Sequence, residues 1–171
     1  MGGQQSTHGD VATALHESGH AVAHVRLGII QSSVTIVERG GALGCATAEG
    51  VEHVRDAAAA VKQVIAYGSG YAALMAAGHD EESAKEGADR DFAKAEGLIA
   101  RFLSGDLTEW MARAVAMMRE PRNVNAVTVV SDWLLREKTL DGDVIDLLVD
   151  LADGEISQVE FDRYLLLKQG R

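Results

Sequence analysis

The chain has 171 residues, 47% of them hydrophobic, and a formal net charge of −10 at pH 7. This length and apolar content are enough for about one domain with its own core. The acidic balance argues against nucleic acid and anionic membranes as partners, because phosphate groups bind basic surfaces. The sequence also has no apolar run of about 18 residues, so no membrane span is expected.

Helices dominate the predicted elements, because the middle of the chain is rich in alanine and the whole chain has one proline, Pro121. Residues 1–9 are rich in glycine and glutamine and are expected to be a disordered lead. A single domain then covers residues 10–171. Its helices are predicted at residues 10–27, 51–77 with a break at 68–70, 88–103, 106–119, 122–137, 142–152 and 157–168.

A β-hairpin is predicted between the first two helices. Residues 33–38 contain the strand formers valine, isoleucine and threonine, and Gly40-Gly41 permits a tight reversal into a second strand at residues 42–47. The expected fold class is therefore mainly α, with a small β-hairpin or sheet beside the first helix.

The first helix carries His16-Glu17-Ser18-Gly19-His20, an HExxH motif. Asp10 is the predicted N-cap of this helix, and Gly28 follows its end as expected of a C′ glycine. Most of its apolar residues gather on the side away from the two histidines. One face is therefore expected to be core, and the opposite face is expected to leave room for a metal ion.

The chemistry follows from the spacing of this motif. His16 and His20 lie four positions apart, so on a helix both imidazoles can reach one metal ion. Glu17 lies beside the metal without binding it, and its carboxylate can take a proton from a water molecule on the metal. The pattern predicts a zinc-dependent hydrolase in which His16 and His20 bind Zn²⁺ and Glu17 is the general base.

Zinc hydrolases usually have a third protein ligand. His24 continues the same face, but three histidines along one straight helix span about 12 Å, which is too far for bonds near 2 Å. We therefore expect His24 to flank the site or to be a solvated residue. The segment at residues 87–92 offers two carboxylates, Asp89 and Asp91, at the start of a predicted helix.

Four segments resemble parts of a known protein family: TALHESGHAVAHVRLG, VTIVERGGALGCAT, GADRD and LLREKTLDGDVIDLL. In the same order they are similar to four patterns of the FtsH-type peptidase domain, found in membrane-bound ATP-dependent zinc proteases. These patterns are the HEAGHA helix, a strand-loop-strand segment ending in RGxALG, the motif GASND and a C-terminal helical signature. The resemblance covers most of residues 10–150 and implies a helical, zincin-like peptidase domain.

The resemblance assigns roles to single residues. It implies that His16 and His20 are zinc ligands, that Glu17 is the general base, and that Asp91 is the third ligand, because Asp91 matches the aspartate of GASND. Asp89 matches the serine of that pattern. It is therefore expected to be an N-cap or a first-turn acid of the following helix.

A substrate site is also implied by the resemblance. In the family, the strand after the active-site helix borders the cleft and pairs with extended substrate. The matching residues here are Val34, Thr35, Ile36 and Val37, which are the expected substrate-binding residues. Pairing through the backbone at a sheet edge would suit a protease of broad specificity. The alternative is an ordinary hairpin that only covers the core.

This chain differs from the family in ways that affect its expected partners and location. Full-length relatives carry a transmembrane segment and an ATPase module, whereas this chain has no GxxxxGK[ST] motif. We expect it to hydrolyse peptides or unfolded proteins without ATP on its own, as a homo-oligomer that is a hexamer by resemblance, with an ATPase as an expected partner. A single cysteine, Cys45, and no signal peptide predict a cytoplasmic location.

Two alternatives to an endopeptidase stay open at this point. One is a non-catalytic zinc-binding regulatory or scaffold protein that keeps the peptidase fold and works with a partner. Glu17 argues against it, because a structural zinc site needs no general base. The other is zinc-dependent hydrolysis of a non-peptide bond, since HExxH specifies the metal chemistry more firmly than the substrate.

Overall fold

The computed structural model describes residues 8–37, 45–48 and 54–169. In this part of the chain the expected mainly α fold with a small sheet beside the first helix is confirmed. In chain order the elements are α1 (His8–Leu27), β1 (Gln31–Thr35), β2 (Cys45–Ala48), α2 (Ala57–Ala76), α3 (Glu81–Lys85), α4 (Asp89–Phe102), α5 (Leu107–Met118), α6 (Pro121–Glu137), β3 (Thr139–Asp141), α7 (Gly142–Asp153) and α8 (Gln158–Gln169).

The central element is α1, which packs against α2 and α6 and also touches α7 and the sheet. The sequence predicted one core face and one open face for this helix. Instead, residues 18–24 are all buried, so no side of this part of the helix is open. The difference arises because α2 packs over the face that carries the histidines.

Small residues allow α1 and α2 to approach closely. A Cβ added at Gly19 would collide with the carbonyl oxygen of Ser69 and would lie 2.6 Å from the Cβ of Ala73. The backbones of the two helices are therefore nearly in contact at this crossing. This approach places the middle of α2 over the HExxH residues.

The predicted break at residues 68–70 is wrong, because α2 runs without interruption through Gly68, Ser69 and Gly70. Each glycine costs a helix about 1 kcal/mol relative to alanine. Here the glycines are needed for packing, since a Cβ at Gly68 would lie 2.7 Å from the side chain of Met111 on α5. The start of α2 also differs from the prediction, because its N-cap is Asp56; residues 51–53 lie outside the described residues.

The predicted N-cap of α1 is wrong, and its predicted C′ glycine is confirmed. The helix begins at His8, so residues 8 and 9 are helical and Asp10 is a first-turn acid instead of the N-cap. Residues 1–7 of the expected disordered lead lie outside the described residues. At the other end, Gly28 has a φ of +65° and Ile29 N–H donates to the His24 carbonyl at 2.9 Å, which confirms the C′ glycine.

The sheet has three antiparallel strands in the order β2-β1-β3. The sequence predicted only two strands and missed β3, a segment of three residues. Its Leu140 pairs with Val34, and its Thr139 pairs with Thr35. Strand β1 ends at Thr35, three residues before the predicted end, and the predicted turn at Gly40-Gly41 lies outside the described residues. The short helix α3 was missed as well.

Two apolar clusters hold the helices together. The larger one joins α1, α6 and α7, and the smaller one joins α2, α4 and α5. The C-terminal helix α8 packs on the larger cluster through Phe161, which is fully buried, with its ring 5.1 Å from that of Trp133. No helix among the described residues combines the length and the apolar character that crossing a membrane requires.

We predict that Gly19→Ala lowers the free energy of unfolding by about 2–3 kcal/mol, because the new methyl group has no space between α1 and α2. The control is Gly97→Ala on α4, where an added Cβ meets nothing within 4 Å. That variant should be up to about 1 kcal/mol more stable, since alanine is the better helix former. Urea unfolding followed by circular dichroism measures both. Equal stabilities of the two variants would contradict the close crossing.

Candidate metal centre

Three side chains from two helices meet at one point. His16 and His20 come from α1, and Asp91 comes from the first turn of α4. The Nε2 atoms of His16 and His20 are 3.0 Å apart, and Oδ2 of Asp91 lies 3.6 Å from the first and 3.2 Å from the second. The structure therefore brings together the three residues expected to be ligands. As a group they could hold a metal ion.

The spacing of these atoms fits a tetrahedral site. Ligand atoms bound at 2.0–2.1 Å around a tetrahedral ion lie about 3.3 Å from one another. The three observed separations lie close to that value. The side chains are mostly buried but not sealed, with exposed fractions of 13% for His16, 9% for His20 and 17% for Asp91. All three side chains thus keep some contact with solvent, and a catalytic zinc site needs such contact at its fourth position.

A carbonyl group of α2 determines where His20 carries its hydrogen. Nδ1 of His20 lies 2.8 Å from the carbonyl oxygen of Ala66. Because a carbonyl only accepts, Nδ1 carries the hydrogen, and Nε2 of the neutral ring presents a lone pair. Nε2 lies 3.2 Å from Oδ2 of Asp91 and 3.0 Å from Nε2 of His16, so a proton or a metal ion at this point would link the three groups. Metal-binding histidines are oriented by the same kind of second hydrogen bond.

The three groups also control one another's protonation. Burial alone would lower the pKa of His20, but the contact with Asp91 outweighs it and raises that pKa. Burial lowers the pKa of His16, and Asp91 offsets this only in part. Burial would raise the pKa of Asp91, yet hydrogen bonds with both histidines hold it well below its ordinary range. Asp91 is therefore a carboxylate at neutral pH, the form that binds metal ions.

A glycine of α2 leaves space for this group. A Cβ at Gly70 would lie 2.6 Å from Nε2 of both His16 and His20. A side chain there would displace the two imidazoles or fill the space that they face. The helix α2 therefore contributes two backbone features to the site, namely the carbonyl of Ala66 and the bare Cα of Gly70.

The glutamate of the motif lies next to the ligand group without belonging to it. Glu17 is only 7% exposed. The charge of Glu17 also raises the pKa of His20, although burial and the contact with Asp91 have larger effects. The Glu17 carboxylate is therefore close enough to His20 for its charge to act on that imidazole.

His24 lies one turn beyond His20 and is not part of the ligand group. It is 4% exposed, so it forms a buried flank, as its distance along the helix predicted. The pKa of His24 is lowered to about 4, mainly by burial and also by the charge of His20. A hydrogen bond with Gln31 acts in the opposite direction. His24 is therefore uncharged at neutral pH.

Helix geometry separates the two carboxylates of α4. Ala88 is the N-cap of this helix, and Asp89 is an exposed first-turn acid, as expected. Residues two positions apart on a helix point about 200° away from each other. Asp91 therefore faces the histidines while Asp89 faces solvent.

The strand expected to bind substrate comprises Val34, Thr35, Ile36 and Val37. It lies inside the sheet, because at Val34 it pairs with Ala46 of β2 on one side and with Leu140 of β3 on the other. Just beyond β1, the N–H of Ile36 donates to the carbonyl of Lys138 at 2.9 Å. Val34 and Thr35 therefore leave no free edge for substrate, because β2 lies on one side of them and β3 on the other.

Sequence reasoning missed the contribution of α2 to the site. The glycine–serine–glycine segment was interpreted as a helix break, although small residues within an apolar helix also permit close packing. The lysine Lys94 was missed as well, and its Nζ lies 3.5 Å from Oδ1 of Asp91. Its position three residues after Asp91 on one helix was the available signal.

Comparison with known proteins adds no relative to this picture, since no protein-family model matches the chain and no curated protein gives a significant match.

We predict that Asp91→Asn weakens zinc binding by about 100-fold or more, beyond the effect typical of residues that only support a ligand. The amide is uncharged and is a poor zinc ligand. The control is Asp89→Asn, which removes a carboxylate two residues away and should leave the affinity within about threefold. Calorimetric titration of metal-free protein with Zn²⁺ at pH 7 measures both. Equal losses in the two variants would contradict Asp91 as a ligand.

We predict that the buried His24 makes stability depend on pH. Its folded-state pKa of about 4 lies below the ordinary value of 6.5, so the unfolded chain takes up the proton first as pH falls. The resulting stabilisation is complete above about pH 6.5 and is lost as pH falls to about 4, by up to about 3 kcal/mol. Urea unfolding of wild type and His24→Gln between pH 7 and 4 measures this. A constant difference between the two proteins across this range would contradict it.

Proposed function

We propose that the protein is a zinc-dependent endopeptidase that hydrolyses peptides or unfolded proteins. The observation that supports this best is the contact of His20 with α2. Nδ1 of His20 donates to the Ala66 carbonyl at 2.8 Å, so Nε2 is the nitrogen left to bind an ion, and it lies within 3.2 Å of Nε2 of His16 and Oδ2 of Asp91. The carboxylate and the two Nε2 atoms converge on one point, where a cation could take the place of the protons that link them.

Each residue has a separate task in this proposal. His16, His20 and Asp91 would hold the ion, which supplies Lewis acidity that polarises a carbonyl and lowers the pKa of water from about 16 to about 7. Glu17 takes the proton of the attacking water and passes it to the leaving amine, while the bond from water oxygen to carbonyl carbon forms and the carbon–nitrogen bond breaks. The buried position of Glu17 favours this transfer, because few competing water molecules reach it.

The resemblance of the four segments to the FtsH-type peptidase domain supports a peptide as the substrate. The structure changes one part of that expectation, because β1 has a strand on both sides. Among the described strands, β2 has an unpaired outer edge and packs on α1. We place extended substrate along this edge, where its backbone would pair with that of Cys45–Ala48. A hexamer and an ATPase partner remain proposals that rest on the resemblance alone.

We predict that Glu17→Gln retains about one zinc ion per chain but cleaves unfolded casein at least about 100-fold more slowly than wild type, without ATP. The amide keeps the size of the side chain but cannot accept the proton. The control is Glu137→Gln at the end of α6, an exposed position that should keep both zinc and activity. Zinc is measured by atomic absorption and cleavage by release of labelled peptides.

The other outcomes of this experiment are also informative. If wild type and Glu17→Gln both hold zinc and neither cleaves casein, a non-catalytic zinc-binding protein or a hydrolase of another bond becomes the better interpretation. If wild type holds no zinc, the metal centre itself is contradicted. Equal cleavage by wild type and Glu17→Gln would contradict the role of Glu17 as base.

A further inference from the structure

A tyrosine of α2 lies beside the metal centre and has no role in the proposed function so far. Tyr67 follows Ala66, whose carbonyl orients His20, and precedes Gly70 by one turn. On a helix, positions 67 and 70 lie about 60° apart, so both side-chain directions point toward the same region. Gly70 faces the two imidazoles, and Tyr67 is displaced toward α4.

Lys94 shows how close Tyr67 is to the third ligand. Its Nζ lies 5.2 Å from the centre of the Tyr67 ring and 3.5 Å from Oδ1 of Asp91. One ammonium group therefore contacts both the ring and the carboxylate whose other oxygen faces the histidines. The phenol is thus at the rim of the site, on the side of Asp91.

The hydroxyl group of Tyr67 is held in place and stays protonated. Burial raises the pKa of Tyr67 and the charge of Asp91 raises it further, while a hydrogen bond with the Gln63 side chain lowers it. Gln63 is itself 5% exposed. Because the pKa of Tyr67 lies above its ordinary value, the phenol keeps its hydrogen at neutral pH and can donate it.

Tyr71, one turn further along α2, is a tyrosine of the same helix that packs in the core. It is 8% exposed, and its ring lies edge-on to that of Phe92 at 5.5 Å. Tyr67 is less buried, and a buried amide supports its hydroxyl. The difference indicates a polar task for Tyr67.

We propose that Tyr67 donates a hydrogen bond to the oxygen of the scissile carbonyl as negative charge develops on that oxygen. This inference rests on the proposed peptidase function. The phenol keeps its proton throughout, because the water proton goes to Glu17 and then to the leaving amine. A donor fixed in advance stabilises the transition state more than the ground state. Tyr67 would then be a catalytic residue.

The test compares Tyr67→Phe, which removes only the hydroxyl, with Tyr71→Phe as the matched control. We expect Tyr67→Phe to lower kcat for an unfolded peptide about 100-fold, as loss of one such donor does, with KM changed less than about threefold. Zinc content and melting temperature should match those of wild type. Tyr71→Phe should keep kcat within about twofold. An unchanged kcat in Tyr67→Phe, with an active wild type, overturns the proposal.

A second measurement does not depend on cleavage. A peptide with a phosphinate in place of the scissile amide carries a tetrahedral, negatively charged centre, and its affinity for zinc-loaded protein is measured by calorimetry. We expect Tyr67→Phe to bind it at least about tenfold more weakly than wild type and Tyr71→Phe to bind it equally well. Equal affinity of Tyr67→Phe and wild type overturns the role of Tyr67.

The two readouts separate the two proposals. A wild type that binds phosphinate more tightly than Tyr67→Phe but cleaves nothing supports the placement of Tyr67 and contradicts the peptidase function. A wild type that cleaves, with Tyr67→Phe equal to it in both readouts, contradicts only the role of Tyr67. A wild type without zinc overturns both.

Discussion

The close crossing of α1 and α2 is the constraint on which the candidate metal centre depends. Gly19 lies against the backbone of α2 at Ser69, and this contact brings the Ala66 carbonyl within 2.8 Å of His20. The hydrogen bond determines which imidazole nitrogen is free to bind an ion. A larger separation would lose that bond, and a side chain at Gly70 would fill the space that the histidines face.

Asp91 makes the candidate metal centre a junction between three helices. Asp91 on α4 lies within 3.6 Å of both histidines of α1, and the carbonyl that orients His20 belongs to α2. Because the carboxylate stays charged, it attracts a cation or a proton to the point shared by the two rings. The negative charge of the site therefore depends on the packing of α4 on α2, where the rings of Tyr71 and Phe92 are in contact.

Much of the fold was predictable because it depends on local signals. Helix starts and ends follow from capping, as at Gly28 with its positive φ and at Ser157, whose N–H donates to Glu160 at 2.8 Å. The errors lie where distant contacts override local preference. Gly68 and Gly70 would weaken an isolated helix, yet α2 continues through them because Met111 and the histidines need that space. Strand β3 exists only through its pairing with β1.

The sequence by itself determined which side chains the first helix brings together, because HExxH places His16 and His20 on one helical face wherever that helix forms. The sequence also offered Asp89 and Asp91 as acids near a helix start. Only the tertiary structure decided which acid faces the histidines, which nitrogen of His20 is free, and which sheet edge stays open. These depend on the distances between helices and strands far apart in the chain, which no local pattern of residues encodes.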